Sequence, residues 1–274
     1  MTAVRTVCFV SDRTGVTTET LGHALLARFG GMIFESVTMP FVLNVVQARG
    51  VVGRIDAIAA EQQTKPIVFV TIVDQATRDV IKEARALVID LFAMMGLLEA
   101  ELGPQTVAGA PAMHGARTDP TYAARIDATN FALANDDGAG ARDYRSASVV
   151  LIGVSRTGKT PTCLYLAMQY GVFAANYPLA EEELEAGELP RALLLYRDKL
   201  YGLILTAERL QQIRGERRPG SRYASAQQVQ YELRAAQALY DRFGVPYLDV
   251  TECSIEEIAS RIMDEMALER HARS

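Results

Sequence analysis

The sequence contains no tryptophan, and only three of its 274 residues are cysteine and three are histidine. Cys8, Cys163 and Cys253 lie far apart, so neither the disulfide framework of a small secreted domain nor a zinc-ligand spacing is present. We therefore expect reduced, buried thiols and a cytoplasmic protein. Acidic residues outnumber basic ones, 33 to 28. The formal net charge of −5 provides no overall positive field, which argues against nonspecific binding to nucleic acid or to anionic membranes.

Long hydrophobic runs are absent as well. The longest apolar stretch, residues 87–98, is interrupted by Asp90 and is too short to span a bilayer, so we expect no membrane association. Residues 1–5 lead directly into an apolar strand pattern, and we expect no signal peptide. Hydrophobic residues make up 49% of the chain and charged residues 22%, the balance of a globular protein with one large or two modest cores.

Apolar strand patterns alternate with helical patterns, which predicts an α/β fold with parallel sheets covered by helices. In the first half, strands are predicted at 4–10, 32–39 and 66–73, and helices at 17–29, 42–62 and 120–133, with helical segments over most of 75–102. The segment 135–146 is rich in Gly, Asp and Arg and predicts a domain boundary. We expect an N-terminal α/β regulatory or substrate domain at 1–146, followed by a P-loop kinase-like, nucleotide-binding α/β domain at 147–274.

The most informative motif covers residues 153–160 and fits G-x-x-x-x-G-K-[ST], the phosphate-binding P-loop. It follows an apolar run at 148–152 that predicts a buried strand, and it precedes a helical pattern at 162–168. This arrangement directs backbone N–H groups and the positive end of a helix dipole at one point. The motif therefore predicts a nucleotide or polyphosphate site formed by Gly153, Val154, Ser155, Arg156, Thr157, Gly158, Lys159 and Thr160.

Two residues of this motif have predicted chemical roles. Lys159 is expected to reach the β- or terminal phosphate and to act in catalysis, and the Thr160 hydroxyl is expected to hold Mg²⁺. The alternative interpretation is a glycine-rich turn that serves only as a helix cap.

Carboxylates are harder to assign. Asp136 and Asp137 adjoin at a predicted turn, where a carboxylate could coordinate Mg²⁺ or accept a hydroxyl proton. Asp-Asp-Gly is also ordinary turn chemistry. Asp74 and Asp249, at the ends of predicted strands, are further candidates because open parallel sheets place their ligands there.

Arginines cluster between residues 209 and 222, where there is no lysine and Glu216 is the one acidic residue. They are Arg209, Arg214, Arg217, Arg218 and Arg222. Guanidinium groups suit phosphate oxygens, and residues 219–221 interrupt the helical pattern as the hinge of a lid would. The cluster predicts a phosphate-binding lid. The alternative is a solvated helical face that pairs with the acidic segment 181–188.

An internal repeat relates residues 12–21 to residues 155–164, because both share R-T-G-x-T-x-x-x-L and both follow an apolar strand. The first copy has Val16 in place of Lys159, so we expect no tight binding of a nucleoside polyphosphate. It predicts a second anion-binding loop for a phosphorylated segment of a partner or a second phosphate. The loop comprises Ser11, Asp12, Arg13, Thr14, Gly15 and Thr17. The alternative is a strand-to-helix turn with a threonine N-cap.

Several motifs in one order give the chain a family resemblance. They are Val-Ser-Asp at 10–12, Leu-Gly-His-Ala at 21–24, Pro-Phe-Val at 40–42, Asn-Asp-Asp-Gly at 135–138, the segment 153–162, Tyr-Leu-Ala-Met-Gln-Tyr-Gly at 165–171, Ala-Ala-Asn-Tyr-Pro at 174–178 and Ser-Arg-Tyr-Ala-Ser at 221–225. Over nearly its whole length the sequence resembles the bacterial phosphoenolpyruvate synthase regulatory proteins, relatives of the pyruvate, phosphate dikinase regulatory proteins. Arg13 departs from the synthase branch, where a smaller residue is expected.

The resemblance implies a bifunctional cytoplasmic enzyme. Such proteins transfer a phosphoryl group, unusually from ADP, to a threonine of the synthase or dikinase and inactivate it. With inorganic phosphate as co-substrate they remove the group and release pyrophosphate. The implied partner is phosphoenolpyruvate synthase or pyruvate, phosphate dikinase, and we expect a homo-oligomer. Two alternatives stay open: an ATP-dependent small-molecule kinase of the shikimate or nucleoside-monophosphate type, and a nucleotide-sensing module without catalysis.

Overall fold

The computed structural model describes residues 4–94, 100–103, 120–136 and 144–269. The chain forms two compact units, Met1–Met113 and His114–Ser274, and each contains a four-stranded parallel sheet with helices. The predicted α/β class, with one parallel-sheet unit following another, is confirmed. Among the described residues, no helix is long and apolar enough to cross a membrane.

The first unit is built on a sheet of strand order β2-β1-β3-β4, in which every neighbouring pair is parallel. Its elements are β1 (Val4–Ser11), α1 (Val16–Leu26), β2 (Ile33–Met39), α2 (Val45–Gln62), β3 (Ile67–Thr71), α3 (Gln75–Ile81) and β4 (Leu87–Asp90). Because β1 lies between β2 and β3, the loop that follows β1 is at the topological switch point, where open α/β sheets bind ligands.

Strand β4 lies inside the segment 75–102 that the sequence predicts as helical. Helix α3 ends at Ile81, and Leu87, Val88 and Ile89 pair with β3 instead. The helical prediction is therefore wrong at 87–90. A short apolar run with β-branched residues does not distinguish strand from helix by periodicity, and here the open edge of β3 provides hydrogen-bond partners for a strand.

The second unit repeats the same topology, with strand order β6-β5-β7-β8 and parallel pairing throughout. Its elements are α4 (Pro120–Ala134), β5 (Val149–Gly153), α5 (Lys159–Tyr170), β6 (Ala174–Pro178), α6 (Glu181–Ala186), β7 (Leu200–Ile204), α7 (Ala207–Arg217), α8 (Ala226–Phe243), β8 (Tyr247–Asp249) and α9 (Ile255–Glu265). Strand β5 lies between β6 and β7, so the loop after β5 is again at the switch point.

Helix α4 belongs to the second unit. Ala128 and Ala132 are buried in the same hydrophobic core as β5, and α4 packs against α5. The division between the units therefore differs from the predicted boundary at residue 146. The reason is that α4 places its apolar side chains in the core of the sheet that follows it.

Two helical glycines of the first unit give a matched test of its packing. A Cβ at Gly22 of α1 would lie 2.4 Å from Cε1 of Phe9, whereas a Cβ at Gly50 of α2 meets no atom within 4 Å. Gly22→Ala should lower the free energy of unfolding by about 1–3 kcal/mol through overpacking. Gly50→Ala should raise it by up to about 1 kcal/mol, because alanine is the better helix former. Urea unfolding of both variants measures the difference, and a stabilised Gly22→Ala protein would contradict the packing of α1 on β1.

Candidate active site

The loop between β5 and α5, residues 154–158, lies at the carboxyl end of a strand that is buried along its whole length. Helix α5 begins at Lys159, and its N-cap residue Gly158 has a left-handed backbone with φ of 85°. Glycine adopts this conformation without a Cβ penalty. The strand, loop and helix that the motif requires are therefore present, and the loop lies at the N-terminus of a helix of 12 residues.

The loop encloses its own lysine. Lys159 is 5% exposed, and its Nζ donates a hydrogen bond to the Val154 carbonyl at 2.8 Å. The Thr157 hydroxyl donates to the same carbonyl at 3.1 Å. A Cβ at Gly153 would lie 2.7 Å from the Leu203 carbonyl oxygen, so the close approach of β7 requires glycine there. The ammonium is thus held beside the positive end of the α5 dipole, a favourable place for a phosphate chain.

Arg156, in the same loop, is exposed and has a left-handed backbone with φ of 79°. This conformation costs a non-glycine residue on the order of 1 kcal/mol or more, and it persists where neighbouring groups hold the backbone. Ser155 is held at two atoms. Its carbonyl accepts from Arg214 Nη2 at 3.1 Å, and its hydroxyl accepts from the Tyr223 hydroxyl at 2.8 Å. These bonds anchor the loop directly before the strained residue.

Arg214 is fully buried on α7. Besides Ser155, its guanidinium donates to the Tyr223 carbonyl at 3.1 Å and forms an ion pair with Glu232 at 2.6 Å. It also stacks on the Tyr223 ring, with the guanidinium carbon 4.2 Å from the ring centroid. This differs from the predicted lid arginine, because a buried cation with these contacts holds the loop and does not project towards a ligand.

The other four arginines predicted for the lid are exposed: Arg209, Arg217, Arg218 and Arg222. Arg222 forms an ion pair with Glu181 at 2.5 Å, as the alternative of pairing with the acidic segment predicts. Arg209 donates to Gln212 on its own helix at 3.0 Å. The predicted interruption of the helical pattern is confirmed, since α7 ends at Arg217 and a 3-10 turn at Arg222–Ala224 precedes α8.

Asp136 lies against the start of α5. Its Oδ1 accepts a hydrogen bond from the Thr160 hydroxyl at 2.8 Å. The Nδ2 of Asn176, on β6, donates to the same carboxylate oxygen and also to Thr160 Oγ1, the latter at 3.0 Å. The structure thus brings together two residues that the sequence singled out separately. It adds Asn176, for which sequence analysis gave no role, although an amide within a short apolar strand is the signal that could have found it.

The remaining candidate carboxylates have structural partners or lie outside the described residues, as Asp137 does. Asp74 accepts hydrogen bonds from the hydroxyl and the N–H of Thr77 and caps α3. These bonds hold the pKa of Asp74 below its ordinary value. Asp249 Oδ1 accepts from the N–H and the hydroxyl of Thr251, at 2.9 and 2.6 Å. Both side chains stabilise the turns after their strands.

A divalent cation would need substrate oxygens at this site. Within the described ranges, no group of three or more His, Cys, Asp and Glu side chains is placed to hold a metal ion. Thr160 and Asp136 offer two oxygen ligands of the hard type that Mg²⁺ prefers. Because Mg²⁺ is usually bound by one or two carboxylates together with waters and substrate phosphates, these residues fit Mg²⁺ carried by a phosphate chain.

The cysteine near the loop, Cys163, is not suited to act as a nucleophile. Cys163 is buried on α5, and burial raises the pKa of its thiol. A thiol of this kind is not a nucleophile at neutral pH. Tyr240 is also buried with a raised pKa, and its hydroxyl donates to the Ile152 carbonyl at 3.2 Å, which supports the end of β5.

The corresponding loop of the first unit lies at the same point of its sheet, after β1. Gly15, with φ of 85°, is the N-cap of α1, so the cap is glycine and not the threonine of the alternative interpretation. The Ser11 hydroxyl donates to the Thr71 carbonyl at 3.3 Å, and Asp12 accepts from the N–H of Val73 at 2.9 Å. The side chains of Arg13, Thr14 and Thr17 are exposed. Anion binding by this loop stays a prediction.

A model of the kinase/pyrophosphorylase family matches residues 7–263, and the chain belongs to this family. A protein of Halorhodospira halophila is 50% identical over 272 residues, which cover 98% of this chain and 99% of that protein. A protein of Alcanivorax borkumensis is 48% identical over 267 residues, 97% of this chain and 98% of its own length. Each relative is provisionally named a phosphoenolpyruvate synthase regulatory protein. The resemblance found in the sequence is thereby confirmed.

Because Arg214 is buried and Arg218 is exposed, we expect replacing each of them to affect the stability of the protein differently. Arg214→Ala should lower the free energy of unfolding by about 3–5 kcal/mol, because Glu232 loses its ionic partner in a buried environment. Arg218→Ala, at an exposed position, should change it by less than about 0.5 kcal/mol. Guanidinium chloride unfolding followed by circular dichroism measures both. Equally small effects would show that Arg214 does not hold the loop.

Proposed function

We propose that this chain is an ADP-dependent serine/threonine kinase that phosphorylates a threonine of phosphoenolpyruvate synthase, and that it also removes the phosphoryl group with inorganic phosphate. The observation that carries the proposal is the loop at the N-terminus of α5 with the Lys159 ammonium held inside it. Membership of the kinase/pyrophosphorylase family supports phosphoryl transfer and pyrophosphate chemistry. The names of the relatives support the synthase as protein substrate, with pyruvate, phosphate dikinase as the related target.

Both proposed reactions transfer a phosphoryl group to or from the same threonine oxygen. In the kinase direction the bond from the β-phosphorus of ADP to the bridging oxygen breaks, the β-phosphoryl group bonds to the threonine oxygen, and AMP leaves. In the phosphorylase direction an oxygen of inorganic phosphate bonds to the phosphorus of phosphothreonine, the bond to the threonine oxygen breaks, and pyrophosphate leaves. AMP in the first reaction and inorganic phosphate in the second are therefore both the partner that exchanges the phosphoryl group with threonine. One phosphate subsite can serve both.

The residues at the loop have separate roles in this proposal. The backbone of residues 154–158 and the Lys159 ammonium bind the phosphate oxygens and stabilise the charge of the transferring group. Thr160 and Asp136 hold Mg²⁺, which neutralises phosphate charge when bound. A carboxylate accepts the proton of the threonine hydroxyl in the kinase direction and returns it in the other. Because Asp136 holds the cation in this proposal, the adjacent Asp137 is the candidate.

Two of the exposed arginines of the predicted lid contribute to phosphoryl transfer in this proposal, because Arg209 and Arg222 already have side-chain partners. Arg217 and Arg218 extend from the end of α7 and are exposed. Arginines that neutralise a transferring phosphoryl group can accelerate transfer by roughly 10³-fold or more. In this proposal the pair approaches the phosphates, while Arg214 keeps Ser155 in place.

The activity is tested with ADP labelled at the β-phosphate, Mg²⁺ and purified synthase, with labelled ATP and candidate metabolites in parallel. Label on a threonine of the synthase, donated by ADP, is the expected result. Transfer from ATP to a metabolite would replace the proposal with a small-molecule kinase. Tight nucleotide binding without any transfer would replace it with a nucleotide-sensing module.

Lys159→Ala should lower both activities at least about 100-fold, because both reactions place phosphate oxygens against the same ammonium. Kinase activity is followed by label transfer to the synthase, and phosphorylase activity by pyrophosphate release from the phosphorylated synthase. Lys65→Ala, which removes an exposed lysine of the first unit, is the control and should leave both rates unchanged. Loss of only one activity in a folded Lys159→Ala protein would refute a shared pocket.

A further inference from the structure

Asn176 is buried in β6 with 1% exposure. Burial of an amide without hydrogen bonds is unfavourable in proteins, so its position has to be explained by its partners. The side-chain Nδ2 donates to Asp136 Oδ1 and to Thr160 Oγ1. One amide nitrogen thus donates to both side chains that the proposed function assigns to the cation.

The backbone of Asn176 forms a further hydrogen bond to the segment that contains Asp136. Its N–H donates to the Asn135 carbonyl at 3.4 Å. Strand β6 pairs with β5 on one side, and on its other side this bond joins it to the end of α4. The main chain and the side chain of one residue therefore fix the position of Asp136 relative to α5.

The side-chain hydrogen bonds among Asn176, Asp136 and Thr160 also orient the Thr160 hydroxyl. A threonine hydroxyl has one hydrogen and two lone pairs. At Thr160 the hydrogen is donated to Asp136, and one lone pair accepts from Asn176. By this count one lone pair is left, and it is the one that a cation can use.

We propose that Asn176 is a positioning residue for phosphoryl transfer, which holds the Asp136 carboxylate and the Thr160 hydroxyl in the arrangement that binds a divalent cation together with substrate phosphates. The inference rests on the proposed function and adds to it a residue that acts through two others. Residues that orient metal ligands in this way typically contribute 10–100-fold to metal affinity or activity.

The first test measures ADP affinity by calorimetry, with Mg²⁺ and with EDTA, in wild type, Asn176→Ala and Asn130→Ala. Asn176→Ala should lose the gain in ADP affinity that Mg²⁺ provides by roughly tenfold or more, while its affinity in EDTA stays that of wild type, because the loop and Lys159 are unchanged. Asn130 is exposed on α4, and Asn130→Ala should behave as wild type. An unchanged Mg²⁺ effect in Asn176→Ala would overturn the inference.

A charge-swapped pair separates positioning from a structural role. Asn176→Asp alone should be destabilised, because two carboxylates then face each other. Combining Asn176→Asp with Asp136→Asn restores one amide and one carboxylate, so the free energy of unfolding should recover. The Mg²⁺ effect on ADP affinity should not recover, because the carboxylate is then on β6. Recovery of both properties would show that the cation does not depend on which of the two positions carries the carboxylate, and would overturn the inference.

The outcome is distinguishable from failure of the proposed function. If wild type binds no ADP, the proposed function fails before the variants are compared. If wild type binds ADP with a Mg²⁺ effect and transfers phosphate, but Asn176→Ala does so equally well, the proposed function stands and Asn176 has no positioning role.

Discussion

The hydrogen bonds that Ser155 accepts are the constraint on which the candidate site depends. They hold a loop that contains Arg156 in a left-handed conformation, and they come from side chains on two later segments of the chain. The buried ion pair of Arg214 with Glu232 fixes the guanidinium in turn. The loop is thereby shaped before any ligand arrives. For the proposed function, a loop held in this way has less ordering to undergo on binding and so loses less of its binding free energy.

The two units place the same sequence element at the same point of the same topology. In each, the first strand is flanked by the second and third strands, and the R-T-G element follows it. The units differ at the position that matters most for polyphosphate binding. Lys159 is enclosed by its loop, whereas Val16 of the first unit is 62% exposed and uncharged. The same sequence element therefore has different chemical capacities in the two units.

The sequence was sufficient where local patterns decide the structure. The continuous apolar runs of β1, β3 and β5 and the motif at 153–160 located both sheets and the candidate loop. It was insufficient where a residue is defined by distant partners. The sequence grouped Arg214 with the exposed Arg217 and Arg218 in one predicted lid. Burial of Arg214 follows from contacts with Ser155 and Glu232, which the local sequence does not reveal. Asn176 was missed for the same reason, since Asp136 is 40 residues away in the chain.

The most direct test of the account is calorimetric titration of ADP into the folded protein, with and without Mg²⁺. The account predicts saturable binding to one site per chain. It also predicts that pyrophosphate competes with ADP and adenosine does not, because the loop binds the phosphates. Absence of binding by ADP and by ATP under both conditions, in protein shown to be folded, would contradict the claim that the start of α5 is a polyphosphate site.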